Sequence, residues 1–245
     1  MNAVFSHRRD AGQKLAQQLT IYKNDPNTIV LALPRGGVPV AYELAKRLNL
    51  PLDVCLVRKI GLPDSPETAM GAICLQHGFA YPKDALIHNY SDYVTIIDRG
   101  LIDRYKVEPS KIQAIAAKEK AELRWRETCY RHYRPTLTIA DRTVIVVDDG
   151  MATGLTMHVA VEALSKHQPT EIIVAVPIAS WQAIEKLERQ VDNLICLQTP
   201  EAIGAVGFWY EDFSQTTDRE VCDLLERQTC RLSNGTRDAI ALKDS

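Results

Sequence analysis

From Val144 to Val147 the sequence is apolar without a break; it then meets two acids, Asp148 and Asp149, and continues as Gly150-Met151-Ala152-Thr153-Gly154-Leu155-Thr156. No other stretch constrains the fold as tightly. A continuous apolar run of this kind suits a strand buried on both faces, not one with a wet side. Behind it Val159, Ala160, Ala163 and Leu164 recur at helical spacing, so the small residues fall where a strand hands over to a helix. Backbone N–H groups at a helix N-terminus, joined by the Thr153 and Thr156 hydroxyls, make a seat for a phosphate dianion. Gly150 and Gly154 let the backbone approach such a group closely. Two carboxylates at the strand end cannot favour the same anion. They suit the hydroxyls of a sugar, or a metal ion that offsets their charge. The pattern is not a Walker A loop, because Leu155 stands where that loop needs lysine, and it is not a dinucleotide GxGxxG.

The rest of the chain supplies more strands of the same kind. An amphipathic helix over residues 10–20 is predicted from Ala11, Leu15, Ala16 and Leu19. Thr28 to Leu33 is an apolar strand ending in Pro34-Arg35-Gly36-Gly37; a helix through Val40, Leu44 and Leu48 follows, then a second strand from Leu52 to Val57. Gly61 to Thr68, with two prolines and Asp64, Ser65 and Glu67, reads as a mobile loop. Ala72–Leu75 and Phe79–Tyr81 read as the arms of a hairpin. Pro109 to Tyr130 is rich in Ala, Lys, Glu and Arg and predicts a long, mostly solvated helix outside the main core. Glu171–Val176 and Leu194–Leu197 are two further buried strands. Apolar runs separated by helices indicate a mostly parallel α/β sheet covered on both faces.

Bulk properties narrow the function classes. The 245 residues are 46% apolar and 24% charged, ordinary for a globular protein, and the net charge of −2 argues against a dedicated nucleic-acid binder. No apolar run approaches signal-peptide or membrane-spanning length, so a cytoplasmic location without a membrane partner is expected. The six cysteines include no CxxC pair; Cys55, Cys74 and Cys196 lie in apolar runs and read as reduced, buried thiols.

The strand, acid pair and Thr-Gly-x-Thr loop resemble the signature of the type I phosphoribosyltransferases. The resemblance implies that fold: a mostly parallel sheet flanked by helices, in one domain over 1–245, with 61–135 supplying a lid loop and helical insertion and 199–225 a small hood. It implies that Asp148 and Asp149 hold the ribose hydroxyls of 5-phosphoribosyl 1-pyrophosphate and, mainly through those hydroxyls and water, Mg²⁺. Gly150, Met151, Ala152, Thr153, Gly154, Leu155 and Thr156 would cradle the 5′-phosphate. Arg35, Gly36 and Gly37 match the pyrophosphate loop, with a cis peptide expected at Arg35-Gly36. Lys59 enters the lid. Ala152 replaces the aspartate of hypoxanthine-guanine enzymes, as in adenine enzymes, and Glu67 is then the lid carboxylate best placed to act at the acceptor. In Ala205-Val206-Gly207-Phe208-Trp209-Tyr210-Glu211-Asp212-Phe213, aromatic faces such as Trp209 could stack on a planar acceptor and Glu211 or Asp212 read its polar edge; an apolar cluster closing the core is the competing view. Leu-Pro-Arg-Gly-Gly, Arg58-Lys59 and the Trp-Tyr-x-Asp-Phe segment also resemble a family of predicted bacterial phosphoribosyltransferases, from about Phe5 to Val221. The implied activity is transfer of the phosphoribosyl group to a nitrogen acceptor, a nucleobase, with release of pyrophosphate. The alternative is a non-catalytic regulator that binds the same sugar phosphate. Nucleic acid is not an expected partner, and a homo-oligomer stays open.

Overall fold

The computed structural model describes residues 4–80, 91–132 and 134–241, with side chains as far as residue 233. In chain order the elements are β1 (Phe5–His7), α1 (Arg8–Gln18), β2 (Thr28–Ala32), α2 (Gly37–Leu48), β3 (Leu52–Val54), β4 (Val57–Leu62), β5 (Ser65–Leu75), β6 (Tyr93–Ile97), α3 (Arg99–Tyr105) and α4 (Pro109–Arg131). They continue as β7 (Thr143–Val147), α5 (Leu155–Ser165), β8 (Glu171–Ile178), α6 (Trp181–Leu187), β9 (Asn193–Gln198), β10 (Tyr210–Asp212) and α7 (Asp218–Ala241).

The central sheet runs β3-β2-β7-β8-β9 with every pairing parallel. Strand residues alternate between two apolar layers. Val30, Ala32, Ile145 and Val147 pack toward α1 and α2, and Ile29, Leu31, Val144 and Val146 pack toward α5. This is why β2 and β7 carry no polar interruption: both faces are covered. From β2 the chain proceeds to β3 on one side, and from β7 to β8 and β9 on the other. The reversal of strand order therefore falls between β2 and β7, and a crevice opens at their C-terminal ends.

Against this sheet stands a second, antiparallel one of order β4-β5-β6. Several expectations change here. The run Leu52–Val57 is not one strand: β3 ends at Val54 and joins the central sheet, while β4 begins at Val57 and joins the antiparallel one. Gly61 to Thr68 is not an irregular loop but the tip of the β4–β5 hairpin, with Leu62 opposite Ser65. Register shifts at Ile60/Gly61 and Gly61/Leu62 absorb the prolines that disguised it. Ala72–Leu75 pairs with β4 and β6 rather than with 79–81; Phe79 bridges Leu137 instead, and Tyr81 lies outside the described residues.

The long helix α4 is present but does not stand off the core. Ile112, Ile115, Ala116, Leu123 and Tyr130 make a stripe at helical spacing that packs on the same apolar layer as α1 and α2. Most of its charged residues cover the other face, Arg126 and Arg131 being buried, and composition alone hid the stripe. Strand β9 is half-buried at the sheet edge rather than buried. A short strand that sequence patterning missed, β1, pairs in parallel with β10, setting Phe5 opposite Tyr210 and His7 opposite Asp212. Cys55, in the link between β3 and β4, and Cys74 on β5 are buried, and their thiols lie 3.7 Å apart. Among the described residues no helix is long and apolar enough to cross a membrane.

Candidate functional site

The loops that leave β2 and β7 touch. Leu33 N donates to Val147 O at 2.9 Å, so the two strands stay paired to their ends. A Cβ on Gly36 would lie 1.9 Å from Asp149 Oδ2, and one on Gly37 would lie 2.8 Å from Val147 O. Only hydrogen fits at these two positions, which is the local reason for the Gly-Gly pair. The cis peptide in this loop is Pro34-Arg35, one bond earlier than the sequence reading assigns it. Gly36 already has helical dihedrals (φ −61°, ψ −33°), and Gly37 N bonds back to Leu33 O at 3.1 Å. Gly36 thus already belongs to the turn that opens α2. The Arg35 guanidinium is not free in this loop: its Nη1 lies 3.1 Å from Asp218 Oδ2 at the start of α7.

The two acids at the end of β7 are held differently. Asp148 Oδ1 accepts from Asp149 N at 2.8 Å. Asp149 Oδ2 accepts from Arg8 Nε at 2.8 Å, and the Asp149 carbonyl accepts from the Tyr210 hydroxyl at 2.6 Å. Burial raises the Asp148 carboxyl well above the ordinary carboxylate value, and the charge of Asp149 pushes the same way. Burial also raises Asp149, with Arg8 opposing it. Arg8 itself is clamped, 3.7 Å over the Phe213 ring and donating from Nη1 to Ser214 O at 2.7 Å.

The loop after the acids is fastened from β8 and α6. Met151 N donates to Ile178 O at 2.8 Å, Ser180 N to Met151 O at 3.0 Å and Ser180 Oγ to Ala152 O at 2.7 Å. Gly154, at φ +73°, then caps α5, a conformation that L side chains rarely adopt. The first-turn N–H groups of α5 have no partner within the helix; Leu155 N lies 3.5 Å from Thr153 Oγ, and Ala152 and Thr153, just ahead of the helix, are exposed.

A cleft of about 520 Å³ follows from these placements. Asp148, Gly150, Met151, Ala152, Thr153, Gly154 and Thr156 line one side; Lys59 and Glu67 on the β4–β5 hairpin line the other. Lys59 Nζ donates to Glu67 O at 2.8 Å and lies 3.8 Å from its carboxylate. So the two hairpin residues singled out in the sequence are neighbours, tied to each other across the hairpin. Leu155, in the first turn of α5, packs against the apolar layer on that side.

Trp209 and Glu211 are placed elsewhere. Trp209 packs beside Phe5, Tyr210 and Phe213, its Nε1 donating to Ile203 O at 2.8 Å, and Glu211 is exposed on β10. From the hood segment it is Val206 that reaches the cleft. Sequence reasoning also missed Arg8, Leu101 on α3, Tyr130 and Asp218. For Arg8 and Asp218 no local signal exists, since their partners lie 141 and 183 residues away. Among the described residues no group of three or more His, Cys, Asp or Glu side chains could hold a metal ion unaided.

Comparison with known proteins agrees with this geometry. Residues 5–211 match the phosphoribosyl transferase domain family, so the chain belongs to that family. Two Mycobacterium tuberculosis proteins, named provisionally as phosphoribosyl transferases, are 36% identical over 224 residues, 91% of this chain and 47% of theirs. The chain thus spans about half the length of these curated relatives. Among solved structures, TT1426 of Thermus thermophilus is 37% identical with a TM-score of 0.68, covering 90% of this chain and 97% of that one.

Proposed function

We propose that this member of the phosphoribosyl transferase domain family binds 5-phosphoribosyl 1-pyrophosphate in the cleft between β7 and the β4–β5 hairpin. There it transfers the phosphoribosyl group to a nitrogen acceptor, a nucleobase. The observation that carries the reading is the meeting, at one end of two neighbouring buried strands, of a glycine loop, an acid pair and a helix-opening loop of small and hydroxyl residues. Each has a part suited to one portion of the substrate. The first-turn amides of α5, with Thr153 and Thr156, suit the 5′-phosphate. Asp148 and Asp149 suit the ribose hydroxyls. The 34–37 loop, pressed against Asp149, suits the pyrophosphate, which leaves as the acceptor nitrogen bonds to C1 of the sugar.

The family implies Mg²⁺, and the residues present fit it in a limited way. Asp148 and Asp149 form a half-buried pair, both carboxyls raised first by burial, and Arg8 pairs directly with Asp149 alone. Two carboxylates leave most of an octahedral shell to substrate oxygens and water, so the ion would be shared with the bound sugar pyrophosphate. It would supply charge neutralisation for the departing pyrophosphate. The chain's own contribution is position and electrostatics. Lys59 and Glu67 line the cleft from the hairpin and are suited to cover the reacting centre, with Glu67 the carboxylate offered to the acceptor.

The test is pyrophosphate release from 5-phosphoribosyl 1-pyrophosphate and Mg²⁺ with a panel of nucleobases. Release that requires one base and disappears in Asp149→Asn supports transfer and identifies the acceptor. Binding without release for any base points instead to a regulatory protein, and absence of binding overturns the reading.

A further inference from the structure

Arg35 is the one strongly basic side chain of the glycine loop, yet its guanidinium is committed away from the cleft. Nη1 meets Asp218 Oδ2 at 3.1 Å, with both side chains about a quarter exposed. The other oxygen of the same carboxylate takes a short hydrogen bond from the Tyr130 hydroxyl. Tyr130 belongs to α4 and is 4% exposed, so its hydroxyl is delivered from a packed ring rather than a mobile one. Asp218 opens α7, a helix held by Val221, Leu224 and Leu225 in the same apolar layer as α2. Its carboxyl is kept below the ordinary value despite burial, by Tyr130, Arg35 and nearby Arg126. Both oxygens are therefore used, and the two elements that present the network are anchored independently of the loop.

On the loop side, Arg35 O accepts from Val38 N at 3.1 Å and Gly36 rests on Asp149, so fixing the Arg35 side chain fixes the loop between them. We infer that Asp218 and Tyr130 are positioning residues: they tether the Arg35 side chain and so hold the 34–37 loop, whose Gly37 and Val38 N–H groups are already bonded within the turn, leaving the Arg35 and Gly36 N–H groups rather than the guanidinium for pyrophosphate. This rests on the proposed function for the identity of the ligand. Asp218 lies beyond the matched family region, which ends at residue 211. The C-terminal helix thus contributes to the loop without lining the cleft.

The experiment is calorimetric titration of the full chain, with Mg²⁺ present, by inorganic pyrophosphate and separately by ribose 5-phosphate. Wild type, Asp218→Asn, Tyr130→Phe, Arg35→Ala and the Arg35→Ala/Asp218→Asn double variant are compared, and thermal melting confirms that each is folded. Loss of one charge-assisted tether is expected to weaken pyrophosphate about tenfold in Asp218→Asn, with a smaller loss in Tyr130→Phe, and to leave ribose 5-phosphate within about twofold. The double variant is expected to match Arg35→Ala, because both changes cut the same tether. Wild-type pyrophosphate affinity in Asp218→Asn overturns the inference. So do equal losses for both ligands, which would mean general damage, and additive losses in the double variant, which would mean that Arg35 acts without Asp218. A wild type that binds neither ligand removes the proposed function and this inference together. A wild type that binds both, with Asp218→Asn unchanged, removes only the inference.

Discussion

On the sheet side of the cleft, Asp148 and Asp149 follow a strand whose residues Val144–Val147 are fully buried, and the loop beyond them is fastened by a hydrogen bond to the Ile178 carbonyl and by two from Ser180. On the opposite side, Lys59 and Glu67 sit on a hairpin whose tip, residues 64–67, is exposed, and Glu67 has 99% of its side-chain surface in solvent. The contrast matches what the proposed function asks of each wall. A group that must meet developing charge without reorganising belongs on packed strands. A group that covers a site after the substrate enters has to be able to move, and such segments come from the weakly packed end of the molecule.

The contrast can be broken most sharply at the acid pair. Asp149→Asn is expected to lower pyrophosphate release by about a hundredfold or more, the scale for removing one electrostatic group from a site of this kind. Steady-state release assays check it, and activity within a few-fold of wild type would show that the sheet side is not the reacting wall. Gly36→Ala should come next. Its Cβ would sit 1.9 Å from Asp149 Oδ2, so the carboxylate must leave Arg8, and a loss of about tenfold is expected from a shift of this kind. The far-ultraviolet spectrum should stay native, because the clash is with a side-chain end.

Trp209→Ala tests how the hood takes part. Its half-buried ring packs with Phe5 and Tyr210, so stability should fall by about 2 kcal/mol in denaturant unfolding while the KM for the acceptor holds. A raised acceptor KM with unchanged stability would restore the stacking role. The smallest effect is expected at the hairpin: Glu67→Ala should change stability by no more than about 0.5 kcal/mol, since an exposed ion pair contributes little. Any large loss of activity in that variant would then belong to the chemistry and not to folding.

The acid pair also carries a pH signature. Asp148 binds its proton more tightly in the folded chain than in the unfolded one, where the value is 3.8. Its stabilising contribution is therefore full below that pH and is lost as pH rises through the folded value. With a chelator present, the stability of Asp148→Asn relative to wild type should grow as pH rises through the acid range, read as the difference between their melting temperatures.

Much of the site was legible because its chemistry is local. The strand of valine and isoleucine, the two acids and the Thr-Gly-x-Thr turn all sit within thirteen consecutive positions, Val144 to Thr156, and a strand buried on both faces leaves no other pattern. The Gly36-Gly37 pair was legible for the same reason. The hairpin tip was not: proline and acidic residues mark loops in general, and only pairing with β5 decides that Gly61 to Thr68 is extended. In α4 the composition masked a stripe that spacing carried.

By itself the sequence determined the parallel sheet, the strand ends that carry the candidate site and the residue types of the loops on them, because continuous burial and glycine geometry are written in neighbouring residues. Only the tertiary structure decided which side chains hold those loops in place. Arg8 reaches Asp149, Asp218 and Tyr130 reach Arg35, and Val206 rather than Trp209 reaches the cleft. Such pairings depend on how α1, α4, α7 and the β1–β10 ribbon pack around the sheet, and contacts made across more than a hundred residues leave no periodicity in the chain.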